Sequence, residues 1–284
     1  WSRFKMLVET SPEMTLTTRT LRKSSCQHSA KTRRKSAPNY PNGLISTLSV
    51  LSANDRSETR NMRELYECDR RHIPSFGYAQ TKWVAEKLVA TAQHRGIPAC
   101  IYRLGRISGD SKTGVCNTND RLYRTIKGII QLGYAPALDT TVDMTPVDYL
   151  SKAIVHLSQQ EKSGDRVFHL CHPHPWRWFE LTNWMRSFGY PLQPIDYKQF
   201  QAELLNEKMS PDNPLYPLIP FFSDRDETES SSSTPASDRN TSEELADIPI
   251  ACPPIDTQLL NNYFSYLIQS GFLDAPHSNS QLRA

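Results

Sequence analysis

No glycine precedes Gly43, and neither G-x-G-x-x-G nor G-x-x-G-x-x-G occurs anywhere in the 284 residues. Such a turn lets a backbone approach the pyrophosphate of a dinucleotide, because side chains there would block the contact. A C-x-x-C pair is also missing. The six cysteines (Cys26, Cys68, Cys100, Cys116, Cys171 and Cys252) are scattered, which argues against a disulfide framework or zinc knuckle and fits a reducing, cytoplasmic setting. No apolar run approaches the roughly 20 residues of a membrane span. The opening residues, with Arg3 and Lys5, carry no apolar stretch of a secretory signal. A net charge of +3 is small for this length, so the chain as a whole does not read as a nucleic-acid binder. Trp1 stands where a natural start would have Met, which leads to the expectation of a fragment.

What is present divides unevenly. Residues 1–42 carry Arg3, Lys5, Arg19, Arg22, Lys23, Lys31, Arg33, Arg34 and Lys35 against Glu9 and Glu13. Without interleaved aromatics or an apolar period, they read as a solvated, poorly ordered basic arm. From Gly43 the pattern is globular. "GLISTLSVLS" reads as a buried strand, and a polar loop over about 53–76 leads to "GYAQTKWVAEKLVATAQHRGIP". Val84, Leu88, Val89 and Ala92 share helical spacing there, and Gly96 and Pro98 close the helix. "ACIYRL" is the next strand, so strand, helix and strand make a βαβ unit of a parallel sheet.

A loop with Gly105, Gly109 and Gly114 follows. "NDRLYRTIKGIIQLG" reads as a helix buried through Leu122, Ile126 and Ile129. "TPVDYLSKAIVHLS" reads as a helix capped by Thr145, with Pro146 first and Tyr149, Leu150, Ala153, Ile154 and Leu157 inward. "DRVFHLCHP" is a strand, and "WFELTNWMRSFGYP" and "DTQLLNNYFSYLIQSGF" are helices. Residues 223–247, serine-rich and charged, are expected to be a disordered insertion. The implied divisions are the arm 1–42, a partial nucleotide-binding domain 43–175, and a substrate subdomain with C-terminal helix 176–284.

Tyr78 and Lys82 are separated by one helical turn and so share a helix face. An ammonium beside a phenol favours phenolate, which would make Tyr78 a proton donor or acceptor near neutral pH. Thr47 lies 31 residues earlier on a strand expected to neighbour the strand after that helix. Alone, Y-x-x-x-K is common, and a packed Tyr with a solvated Lys explains it better. The combination with Thr47 and the return through "IYRLGRISG" points to a carbonyl-reducing site. Elsewhere, His169, Cys171, His172 and His174 in "HLCHPHPW" are either metal ligands or incidental residues at a strand end, and no metal is assigned. Trp176, Trp178 and Trp184 read as a cluster under the subdomain, with a substrate contact as the other reading. Tyr123 and Arg124 are substrate-facing or surface residues. Cys100 reads as core.

"ISTLSV", "GYAQTKWVAEKLV", "IYRLGRISGDSKTG", "IKGIIQLG", "VDMTPVDYLSKAIVHLS" and "CPPIDTQLLNNYFSYLIQSGFL" resemble the thioester reductase domains that end many non-ribosomal peptide and polyketide synthetases. These are extended short-chain dehydrogenase/reductases, close to carboxylic acid and aminoadipate reductases. The resemblance runs from about Gly43 to the C-terminus. It implies the C-terminal part of an α/β Rossmann fold with a small, mainly helical substrate subdomain. It implies NADPH-dependent release of a carrier-bound acyl or peptidyl thioester as an aldehyde, sometimes reduced on to an alcohol, with a phosphopantetheine-bearing carrier domain as partner. Tyr78 would be the general acid, Lys82 would bind ribose and tune Tyr78, and Thr47 would hydrogen-bond the oxyanion. Arg103, Leu104 and Gly105 would pass the nicotinamide, with Leu104 standing where the family usually has proline.

Two other functions fit parts of this pattern. A nucleotide-sugar epimerase or dehydratase shares the Thr/Ser-Tyr-Lys arrangement. A non-catalytic remnant or docking piece accords with the missing glycine turn. About 40 residues before Gly43 cannot hold the first three βα units, since each βαβ takes about 30 or more. Strands 4, 5 and 6 of a 3-2-1-4-5-6 sheet would remain. The expectation is therefore a truncated or incorrectly joined domain that binds NADPH weakly or not at all by itself.

Overall fold

Strand β2 (Ala99–Leu104) is the middle of the sheet. In this computed structural model β1 (Ile45–Val50) pairs with it in parallel, from Ile45 opposite Ala99 to Val50 opposite Leu104. On its other edge β5 (Val167–Leu170) pairs in parallel, from Ile101 opposite Val167 to Leu104 opposite Leu170. The order β1-β2-β5 is the one expected for strands 4, 5 and 6 of a doubly wound sheet. The structure describes residues 45–50, 77–160, 166–206, 209–223 and 238–276, all within the compact unit Asn42–Ala284. The basic arm 1–42, the loop 53–76 and most of the insertion 223–247 lie outside the described residues.

The eight described helices are α1 (Gly77–His94), α2 (Arg121–Leu132), α3 (Val147–Ser158), α4 (Trp178–Phe188), α5 (Tyr197–Leu204), α6 (Ile219–Ser223), α7 (Arg239–Leu245) and α8 (Thr257–Gln269). Two short pairs complete the fold. β3 (Tyr134–Pro136) runs parallel to β7 (Gln193–Ile195), and β4 (Thr141–Val142) runs antiparallel to β6 (Trp176–Arg177). No described helix is long and apolar enough to cross a membrane.

There are two buried clusters. Cys100, Tyr102 and Leu104 of β2 and Phe168 and Leu170 of β5 meet Tyr149, Leu150, Ala153 and Leu157 of α3. The second gathers α2, α4, α5 and α8 around Ile126, Trp178, Leu181, Phe200 and Phe264. Trp176 and Trp184 pack against it, so the three tryptophans are part of a core. Although α2 precedes Pro175, its buried face belongs to this second cluster. Asp120 caps α2 by accepting from Leu122 N at 2.8 Å, and Gly133 ends it in the left-handed region at φ +79°.

Three local expectations need correction. The inward face of α1 carries Glu86 and Gln93, whereas Leu88 is 67% exposed and Val84 is also exposed. Polar ties set this rotation. Glu86 accepts from Arg103 of β2, and Gln93 Nε2 donates to Ala99 O at 2.7 Å. Next, Pro146 caps α3 in place of Thr145, because the Thr145 hydroxyl donates to Asp143 at 2.6 Å. Finally, residues 239–245 form α7 instead of extending a disordered loop. Asn240 Nδ2 donates to Val167 O and Thr241 Oγ1 to His169 O, both at 2.8 Å. Arg166 pairs with Glu244, and Leu245 enters the α3 cluster. This helix thus covers the outer carbonyls of β5, an edge that would otherwise invite another strand.

Leu150 is fully buried between α3 and the sheet. Leu150→Ala is expected to cost about 2–5 kcal/mol in denaturant unfolding. The exposed Val155→Ala on the same helix should stay within about 0.5 kcal/mol. Equal losses would contradict this packing.

Candidate active site

Tyr78 is the second residue of α1, and Lys82 lies one turn further along. The Lys82 ammonium sits 5.7 Å from the centroid of the Tyr78 ring, a cation–π distance. Thr47 is in β1, in register with Ile101 of the neighbouring strand. The structure therefore brings the predicted pair onto one helix face and puts Thr47 on the strand α1 follows. α1 packs against both β1 and β2.

The electrostatics differ from the sequence expectation. The Tyr78 phenol is raised above its ordinary value of 10, and desolvation is the cause. Lys82 lies over the ring, so the cation contact shown here is to the π face. Tyr78 is nevertheless 61% exposed as a residue. A raised phenol stays protonated at neutral pH, the form a general acid starts from.

The other three predicted residues occupy the end of β2. Arg103 is a structural tie: its Nε and Nη2 donate to Glu86 of α1, the latter at 2.8 Å, and its Nη1 lies 3.3 Å from His169 Nε2 of β5. Leu104 is buried against α3. Gly105 N donates to Leu170 O at 3.0 Å. A Cβ at Gly105 would lie 1.7 Å from Asp143 Oδ2, so only glycine fits that close approach.

Sequence reasoning passed over the polar ring around this strand end. Asp143 Oδ2 accepts from Arg106 N at 3.2 Å, and Oδ1 accepts from the Thr145 hydroxyl and from His172 N at 3.3 Å. Desolvation raises the Asp143 carboxyl above its usual range despite these donors. His172 Nδ1 accepts from His174 N at 3.1 Å, which leaves Nε2 as the protonated nitrogen donating to Pro253 O at 2.9 Å. Further along the loop, the Tyr123 hydroxyl accepts from Gly109 N, and Tyr263 donates to Gly109 O, each at 3.1 Å. Tyr123 is buried, which corrects its reading as a surface or substrate-facing residue. Arg124 is half-buried, with Nη2 donating to Pro214 O. Among the described residues no group of three His, Cys, Asp or Glu is arranged to hold a metal. "VDMT" was the signal available for the Asp143–Thr145 pair, but D-x-T spacing alone is too common to single it out.

The NAD-binding family described as male sterility protein matches residues 20–154. Over 236 residues the chain is 35% identical to one of the polypeptides of the linear gramicidin synthase of Brevibacillus parabrevis, covering 82% of this chain and 5% of that one. It is 32% identical over 212 residues to the L-2-aminoadipate reductase of Schizosaccharomyces pombe, covering 70% and 15%. Among solved structures, the terminal R domain from the myxalamid PKS-NRPS pathway superposes with a TM-score of 0.73 at 38% identity, covering 82% of this chain and 59% of that one. The chain thus spans a small part of the curated relatives and about three-fifths of the matched R domain.

In a spectrophotometric titration at the phenolate band, the wild-type-minus-Tyr78→Phe difference should show no ionisation of Tyr78 below pH 9, with a midpoint above 10. A midpoint near neutrality would contradict the desolvated phenol.

Proposed function

The chain belongs to the reductase-domain family that ends non-ribosomal peptide synthetases, a family of extended short-chain dehydrogenase/reductase fold, and from that premise we propose that it performs NADPH-dependent reductive release of a carrier-bound acyl or peptidyl thioester as an aldehyde. The observation carrying this reading is the Tyr78–Lys82 pair on α1 beside β1, in a sheet ordered β1-β2-β5. Ligands of open α/β sheets bind outside the carboxyl ends of the strands. Gly105 and Arg106 lie at that end of β2.

The residues present fit the nicotinamide–ribose half of the cofactor. Tyr78 and Lys82 supply a phenol and an ammonium on one face, and Gly105 at the end of β2 carries no side chain of its own, the room beside it being taken by the Asp143 carboxylate. They do not fit the pyrophosphate half, because no glycine-rich turn exists in the 284 residues. Weak binding of NADPH by this chain follows, and the reaction is expected only at millimolar cofactor.

When bound, the nicotinamide supplies the hydride. Tyr78 donates its proton to the oxygen of the thioester carbonyl as that oxygen becomes negative. Lys82 holds a ribose hydroxyl and keeps positive charge beside the phenolate left behind. Thr47 is assigned a hydrogen bond to the same oxyanion. The resulting hemithioacetal breaks its C–S bond, the carbonyl re-forms as an aldehyde, and the thiol leaves protonated on the phosphopantetheine arm. A carrier domain bearing that arm is the proposed partner. The alternative, a non-catalytic docking piece, is favoured by the missing glycine turn alone.

The purified chain should oxidise millimolar NADPH in the presence of an acyl-pantetheine thioester. Tyr78→Phe should lower that rate by about 10²–10⁴-fold. Oxidation unaffected by Tyr78→Phe would remove the role of Tyr78. Turnover of a nucleotide sugar in place of the thioester would assign the chain to the epimerases.

A further inference from the structure

The ends of β2 and β5 are joined by one carboxylate. Asp143 accepts from the backbone N–H of Arg106, just after β2, and from that of His172, just after β5. Its Oδ1 also receives the Thr145 hydroxyl at 2.6 Å, and Thr145 N in turn donates to Arg106 O at 3.0 Å. Ser108 N then donates to Thr145 O at 2.8 Å, so residues 106–108 are stitched to the Asp143–Thr145 segment. On the remaining side Gly105 packs so closely on Oδ2 that no side chain fits between them. Four consecutive residues leaving β2 are thus held by a segment lying outside the three-stranded sheet.

We propose that Asp143 is a positioning residue: through Arg106 N, His172 N and Gly105 it fixes the strand-end backbone against which a nicotinamide ring is seated. The proposal rests on the reading of that strand end as the cofactor's reacting side. A carboxylate suits the task because it has acceptor capacity for three donors at once, whereas an amide offers a single accepting oxygen and places N–H groups where acceptors are needed. With a donor left facing a donor, the backbone of 105–106 shifts, and seating geometry is lost without loss of the fold.

The test uses reduced nicotinamide mononucleotide, which lacks the half of the cofactor that needs a glycine turn. Its dissociation constant is measured by calorimetry for the full chain, for Asp143→Asn, for Thr145→Val and for the remote surface variant Glu243→Gln. An apparent dissociation constant rises as the folded fraction falls, so the thermal midpoint of each variant is recorded alongside and affinities are compared at a temperature where every variant is fully folded. The expected result is about tenfold weaker binding by Asp143→Asn, about threefold by Thr145→Val, and no change for Glu243→Gln. Thr145→Val keeps the test alive if Asp143→Asn does not fold. Wild-type affinity retained in both clamp variants would overturn the proposal while leaving the reading of the site intact. No binding by the wild type at all would overturn that reading, and the positioning role with it.

Discussion

Everything that positions the site depends on β2 being hydrogen-bonded on both edges in one register. Its residues alternate between two different environments. Cys100, Tyr102 and Leu104 enter the apolar cluster beneath α3, and Arg103 points the other way, to Glu86 of α1 and His169 of β5. A slip of one residue would turn Arg103 into the packed face of Leu150 and strand Glu86 without its cation. The Arg103–Glu86 pair is therefore a register lock as well as a tie. It sets the rotation of α1, and that rotation decides which way Tyr78 and Lys82 face.

Much of this was legible in the residues. β-branched and aliphatic runs marked the three strands. Gly96 marked a helix end, and it adopts the left-handed conformation. The Tyr78–Lys82 spacing put the two side chains on one helix face, where the structure has them. Three features resisted. Apolar periodicity assigned the inward face of α1 to Val84 and Leu88, but a buried ion pair and the Gln93 hydrogen bond outweigh two aliphatic side chains. Composition marked 223–247 as structureless, yet Asn240 and Thr241 find strand-edge carbonyls that only the folded sheet creates. The pKa direction at Tyr78 was read from sequence spacing, which carries no information about where on the ring the ammonium sits. The Asp143 ring was illegible for a related reason: Thr145 is a near neighbour in sequence, but Arg106 and His172 are brought to Asp143 only by the fold.

Chemically, the described residues combine a phenol and an ammonium on one helix face with a strand end held by converging hydrogen bonds. A phenol held above its ordinary pKa stays protonated at neutral pH but is a weaker acid, so delivery of its proton depends on the charge that builds on the substrate oxygen. Binding energy from the remote half of a cofactor normally supports orientation at the reacting centre. At that centre the hydrogen bonds converging on Asp143 tie the ends of β2 and β5 together.

The central claim is that Tyr78, Lys82 and the end of β2 form a hydride-accepting thioester site. The most direct measurement is mass spectrometry of the product formed from an acyl-pantetheine thioester and millimolar NADPH carrying deuterium at the transferable position of its nicotinamide. The account predicts an aldehyde with one deuterium on the former carbonyl carbon, together with free pantetheine thiol. Release of the unlabelled carboxylic acid, or an aldehyde without deuterium, would contradict it.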